Sequence, residues 1–207
     1  DTYYAPHVYY FLDSPVEIAN YHLRVEMVDG QLIRLALHTP ASDREVNDYF
    51  RKVMNIVKAQ RDVFGELPDF DFGEYTFLSC YMPNASGDGM EHRNSTYVVS
   101  GAPINRALGS PSMGTISHEF FHCWNVERIR PKALEPFDFE KANMSGELWF
   151  AEGFTSYYTN LIRARSGSIT AEQYLRGVGG AVGYVMNAPG RNYFNPIEMS
   201  YRAPFVD

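Results

Sequence analysis

The sequence predicts an α/β fold with a small sheet and one long helix in its first half and a mainly helical second half. Three observations lead there. Strand-like runs with period-two alternation all lie within residues 22–100. A capped stretch of helical period interrupts them at 42–65, and two further helical stretches, 111–124 and 145–165, follow them.

The elements follow in chain order. Residues 1–20 are rich in aromatic side chains but carry no clear period. Leu23, Val25 and Met27 alternate with His22, Arg24 and Glu26, and Ile33, Leu35 and Leu37 continue beyond Asp29-Gly30, which predicts a hairpin with a two-residue turn. His22 and His38 fall at strand positions that read as solvent-facing, so neither they nor His7 count as ligands. Ser42 and Glu45 form a capping box ahead of Val46, Tyr49, Phe50, Val53, Met54 and Val57, and Gly65 with Pro68 beyond it ends that helix. Tyr75–Met82 and Ser95–Ser100 read as strands. Between them, residues 83–94 combine glycines with turn residues, which lets the backbone approach a neighbour closely. A polar loop over 101–110 leads to Ser110 and Pro111, a good N-cap and first helical residue. Val126–Asn143 is irregular and charged. Ser145 caps the next helix, which Gly167 stops.

With 207 residues, nearly half of them hydrophobic, the chain is able to bury a full core as one domain or two packed lobes. Its net charge of -7 argues against a nucleic-acid backbone or an anionic membrane as partner. No apolar run approaches the ~20 residues needed to span a bilayer, and residues 1–20 lack the layout of a signal peptide; the compartment stays open. Two cysteines, Cys80 and Cys123, make no disulfide framework and read as a strand residue and a core residue. Asn84, Asn94 and Asn143 each begin an N-x-S/T triplet, which has meaning only in a secretory pathway.

The chemistry concentrates in Ser117-His118-Glu119-Phe120-Phe121-His122-Cys123-Trp124-Asn125. On a helix, His118 and His122 stand one turn apart on one face, where two imidazoles converge on one metal ion, most often zinc, at about 2.0–2.1 Å. Glu119 lies one position round the helix, beside the metal, placed to take a proton from water there. Met113, Ile116, Phe120 and Trp124 form the apolar stripe, with Thr115, His118, His122 and Asn125 roughly opposite.

A third ligand is needed, and Glu152 is the candidate. It falls in the core-facing stripe Leu148, Ala151, Glu152, Thr155 and Ile162 of the next helix. A buried carboxylate is expected to be paired, neutralised or bound to metal; an Arg or Lys partner is the other reading, and the metal completes the two-histidine, one-glutamate set of hydrolytic zinc sites. Gly153 beside it suggests that another backbone comes close. Glu91 reads in isolation as a solvated loop carboxylate, and His92 as a loop histidine or a fourth metal candidate.

H-E-F-F-H-C-W-N-V-E-R-I-R-P (118–131) followed by L-W-F-A-E-G-F-T-S-Y-Y (148–158) resembles the glycyl aminopeptidase family of gluzincin metallopeptidases. D-G-M-E-H-R-N-S (88–95) and D-S-P-V-E (13–17) are similar to that family too. The resemblance implies a thermolysin-like gluzincin fold, one zinc per chain on His118, His122 and Glu152, and Glu119 as the base. It also implies that Glu91, at the end of a glycine-rich strand segment, binds the free α-amine of a peptide substrate with a small N-terminal residue, glycine or alanine. His92 stands where the larger aminopeptidase N family has asparagine. The whole protein is expected to carry an N-terminal β-domain and a PDZ domain outside this chain, and further helices with an oxyanion-binding tyrosine after residue 207. Residues 1–105 would form the sheet-containing lobe and 106–207 the helical lobe, with the zinc site between them and the sheet edge near 88–95 lining the cleft.

Other readings are weaker. The metzincin extension needs glycine at 125 and histidine at 128, where Asn125 and Arg128 stand. Gly177–Gly183 looks like a dinucleotide loop but follows no strand and lies in a stretch capped by Thr170 and Gln173, so close helix packing is the expected use. An endopeptidase with the same site, a binding module with a structural zinc, and a protein without metal remain the alternatives.

Overall fold

The computed structural model of the chain describes residues 2–104 and 111–206. The expected Ser110 cap lies outside the described residues. After a short helix α1 (Val8–Leu12), β1 (His22–Val28) and β2 (Gln31–His38) form the predicted hairpin. Its turn residues Asp29 and Gly30 have φ of 50° and 81°. Paired left-handed residues match the twist of the strands they join, and glycine takes that conformation without strain.

Helix α2 (Asp43–Phe64) then carries the chain from β2 to a parallel partner, β3 (Glu74–Tyr81). The Ser42–Glu45 capping box is formed, and Gly65 ends the helix at φ 88°. The remaining strands are β4 (Asp88–His92) and β5 (Ser95–Ser100), and the sheet order is β1-β2-β3-β5-β4. β3 and β5 are parallel, while β4 runs antiparallel to β5 on the outer edge. The stretch between the predicted strands Tyr75–Met82 and Ser95–Ser100 therefore contains a strand that its glycine and turn residues concealed from the residue pattern and that the family resemblance alone implied, as a sheet edge near 88–95.

One face of the sheet is buried. Ile33, Leu35, Leu37, Tyr75, Phe77, Tyr81 and Val98 meet Val46, Tyr49, Val53, Met54, Ile56 and Val57 of α2 in one apolar cluster. The same cluster continues into α3 (Pro111–Phe121), where Phe120 packs on Tyr75 and Phe77 at ring distances of 5.0 and 5.3 Å. It reaches Ile162 of α4 (Leu148–Arg165). Gln60 on α2 is buried in this junction and donates to the Phe120 carbonyl at 2.7 Å and to Cys123 Sγ at 3.5 Å, which confirms Cys123 as a core residue.

Strand β1 faces the opposite way from its predicted sense. Leu23, Val25 and Met27 are about half exposed, whereas Arg24 and Glu26 turn to the polar flank of α2. Arg24 bonds Asp43 at 2.7 Å and Asn47 at 2.6 Å, and Glu26 pairs with Lys58 at 2.6 Å. His22 likewise meets Asp43 at 3.2 Å instead of solvent. The apolar stripe of α2 does not extend over this edge strand, so charge pairing sets its facing.

In α5 (Ala171–Asn187) no described residue is buried, and a Cβ added at Gly177, Gly179, Gly180 or Gly183 would meet nothing within 4 Å. The expected close helix packing at these glycines is absent. The last helix, α6 (Pro196–Ser200), returns to α4 through a bond from the Trp149 amide to Ser200 Oγ at 3.0 Å. No helix among the described residues is long and apolar enough to cross a membrane.

Replacing Gln60 by Leu leaves the buried Phe120 carbonyl without this donor. The expected loss is about 1–3 kcal/mol in chemical denaturation. An unchanged midpoint would show that the α2–α3 junction does not use the bond.

Candidate metal centre

Helix α3 forms where the histidine pair predicted it but stops at Phe121, three residues short of the expected end. Residues 122–128 continue from it as successive hydrogen-bonded turns. His118 and His122 rings lie 4.8 Å apart at an angle of 79°. Glu152 arrives from α4, with Oε2 3.1 Å from His118 Nε2 and Oε1 3.6 Å from His122 Nε2. The structure thus brings the three predicted ligands together, each offering an atom within 4.8 Å of the others.

Two reasons given for Glu152 need correction. Its side chain is 45% exposed, so it lines an open cleft and does not sit in a buried face. Its ion-pair partners among the described residues are the two histidines, not Arg or Lys. A Cβ at Gly153 would meet nothing within 4 Å, so that glycine does not admit a second backbone. Ser145 does not cap α4 either: the cap position is Glu147, whose amide and carboxylate Ser145 Oγ bonds at 3.1 and 2.6 Å.

Directional polar bonds join α3 to α4. Ser117 Oγ donates to the Thr159 carbonyl at 3.2 Å. Asn125, buried in the turn after α3, donates its side-chain amide to the Ala151 carbonyl and to Thr155 Oγ1, both at 3.2 Å. The backbone carbonyl of the same residue accepts His122 Nδ1–H at 2.6 Å. Thr159 Oγ1 donates to the Thr155 carbonyl at 2.7 Å and so is an acceptor for His118 Nδ1–H at 3.4 Å. This network assigns both rings the tautomer that directs Nε2 toward Glu152. Imidazole and carboxylate donors held in that way suit zinc.

The charges in the centre respond to one another. Burial, the largest single influence on His118, would lower it, but its bond to Glu152 together with the charges of Glu119, Glu152 and Glu91 raises the imidazole above its ordinary value. That same bond holds Glu152 below the usual carboxylate range against burial. Glu119, next to this pair and buried, is pushed up to about 7 by burial, with His118 opposing and Glu91, Glu152 and Asp88 adding to the rise.

Edge strand β4 lies against α3 at this point. A Cβ at Gly89 would come 2.5 Å from Glu119 Oε1 and 2.6 Å from Thr115 Cγ2, so a larger residue would have to displace those side chains. This is the close approach that the glycines of residues 83–94 foretold. Two residues on, Glu91 brings a carboxylate oxygen within 4.8 Å of ligand atoms of Glu119 and His122. His92, one step along the strand, does not join the centre. Its Nδ1 bonds Asp13 at 3.1 Å, and the Arg93 amide donates to the other Asp13 oxygen at 3.0 Å. His7 is also elsewhere, accepting from the Tyr10 amide at the start of α1.

Asn125, Thr159 and Gly89 escaped the sequence reading as site residues. Asn125 carried a signal, three residues after His122, but its use depends on the helix ending at 121. Tyr157 is half exposed and Tyr158 stacks on Phe121 at 5.0 Å, so neither is aimed at the histidines. Tyr201 packs beside Gly146.

Residues 112–205 match the family described as M61 glycyl aminopeptidase. No curated protein matches the chain. Among solved structures, the crystal structure of an aminopeptidase N family protein from Idiomarina loihiensis is similar over 89% of this chain, at 28% identity and a TM-score of 0.72. The match covers 32% of that protein, so the chain spans about a third of its length.

Asn125→Ala removes both amide donors between the turn and α4. A loss of about 1–3 kcal/mol is expected, with amide exchange in 148–155 rising more than in the sheet. Unaltered stability and exchange would show that apolar packing alone fixes the two helices.

Proposed function

We propose that this chain, a member of the M61 glycyl aminopeptidase family, is the catalytic core of a zinc aminopeptidase with a thermolysin-like arrangement that removes N-terminal glycine or alanine from peptides. The observation that carries the reading is the convergence of His118, His122 and Glu152, with Glu119 and Glu91 beside them. His118, His122 and Glu152 would hold the ion. When bound, zinc supplies Lewis-acid polarisation of the scissile carbonyl and water that ionises near neutral pH.

The chain's own groups supply the rest. Glu119 accepts the proton of the attacking water and returns it to the departing amine. Its close seat under Gly89 fixes the distance between this base and β4. Among the described residues β4 is paired on one side only, and that edge is suited to hold a substrate backbone extended. Glu91 projects from that strand near Glu119 and would bind the α-ammonium, which limits cleavage to the first residue.

Glu119→Gln should keep the metal and lose about 10²–10⁴ in turnover, while His118→Ala and His122→Ala should lose the metal. Full zinc content in both histidine variants, measured by elemental analysis, contradicts the assignment. Gly89→Ala should leave zinc content unchanged and lower kcat, because the added methyl displaces the Glu119 carboxylate; wild-type kcat in that variant argues against the packing role.

Glu91→Ala should greatly weaken hydrolysis of free Gly- or Ala-terminated substrates with zinc content intact. If an acetylated peptide is cleaved as fast as a free one, the enzyme is an endopeptidase and Glu91 has no such role.

A further inference from the structure

The sheet face turned away from α2 and α3 carries a second convergence of ligand-type side chains. Tyr75, Phe77, Ser79 and Tyr81 of β3 are buried on the helix side, which leaves Cys80 on the other face. This departs from the sequence reading of Cys80 as plain strand packing and of His38 as solvent-facing. His38, the last residue of β2, is the register partner of Cys80. Glu17, from the segment before β1, reaches over both and is only 15% exposed.

Glu17 Oε1 lies 3.3 Å from His38 Nδ1, and Cys80 Sγ lies 3.7 Å from the same nitrogen. All three donor atoms fall within 4.8 Å of one another. Tetrahedral zinc, with bonds of about 2.0–2.1 Å to N and O and about 2.3 Å to S, spaces its ligand N and O by about 3.3 Å and its N and S by about 3.6 Å. Both observed separations agree with that geometry.

Hydrogen bonding accounts for the cluster less well. A ring nitrogen has one proton or one lone pair, yet a thiol and a carboxylate both press on Nδ1. A nucleophilic Cys–His–Glu triad is excluded on the same ground, since it places thiol and carboxylate on opposite ring nitrogens. A cleft of about 160 Å³ lined by Glu17, Tyr21, Leu23 and Arg34 opens beside Glu17.

We propose that Glu17, His38 and Cys80 form a second divalent-cation site, of the zinc class, that fastens the segment before β1 to β2 and β3. The site is separate from His118, His122 and Glu152 and does not depend on the peptidase reading.

The test uses the full chain, stripped of metal and titrated with cobalt(II). Cobalt bound to a thiolate gives a sulfur-to-metal charge-transfer absorption in the near ultraviolet, and His118, His122 and Glu152 offer no sulfur. The wild-type chain should show this band and bind about two ions. Cys80→Ser should lose the band and one equivalent. Glu17→Gln, a substitution in a segment outside the core, should weaken the same band at equal cobalt. His118→Ala should keep the band and lose the other ion, which separates failure of this site from failure of the first. Absence of the band at saturating cobalt, its survival in Cys80→Ser, or an unchanged titration in Glu17→Gln overturns the proposal.

Discussion

The centre depends on the height at which α4 is held against α3. His118 rises from α3, His122 from the turn directly after it and Glu152 from α4, so a slip of half a turn between the helices would separate Glu152 from both histidines. Apolar packing, such as Phe121 stacked on Tyr158, tolerates sliding because dispersion is weakly directional. Hydrogen bonds in a buried junction do not tolerate it. Ser117 binds the Thr159 carbonyl from one side, and Asn125 binds the Ala151 carbonyl and Thr155 hydroxyl from the other. These bonds lie on both sides of the histidine pair in sequence. Asn125 also orients His122 through its own carbonyl, so helix spacing and imidazole direction share one residue.

The sheet contributes position more than chemistry. The crossover through α2 makes β2, β3 and β5 parallel, and the return to β4 leaves that strand as an edge facing α3. Its far end is anchored from outside the sheet, since Asp13 binds both His92 and the Arg93 amide and Asn94 and Arg93 bind Asp71. Gly89 then removes the one side chain that would keep the strand away from Glu119. The proposed base Glu119, the proposed amine-binding Glu91 and a strand edge are set beside the candidate ligands by these local features. The first segment of the chain therefore bears on the site although it contributes no group to it.

The i,i+4 histidine spacing was legible because a helix translates it directly into one face. Glu152 was identified for a partly mistaken reason: the stripe placed it inward, whereas it lines the cleft and Ala151, Thr155, Thr159 and Ile162 take the buried positions. Strand facing was ambiguous at β1, where apolar and polar residues alternate and only the flank of α2 decides which side turns inward. β4 was hidden from the residue pattern by glycine and turn residues whose purpose, close approach to α3, is a tertiary fact, and only the family resemblance implied a sheet edge there. The Glu17–His38–Cys80 convergence was unreadable in principle, since it needs the register of two parallel strands whose partners stand 42 residues apart.

The central claim is that His118, His122 and Glu152 jointly hold one zinc ion. Anomalous diffraction at the zinc edge from crystals of the zinc-loaded chain tests it most directly. The account predicts a peak about 2.0–2.2 Å from His118 Nε2, His122 Nε2 and a Glu152 oxygen. A zinc-loaded crystal without a peak among these three groups would contradict it.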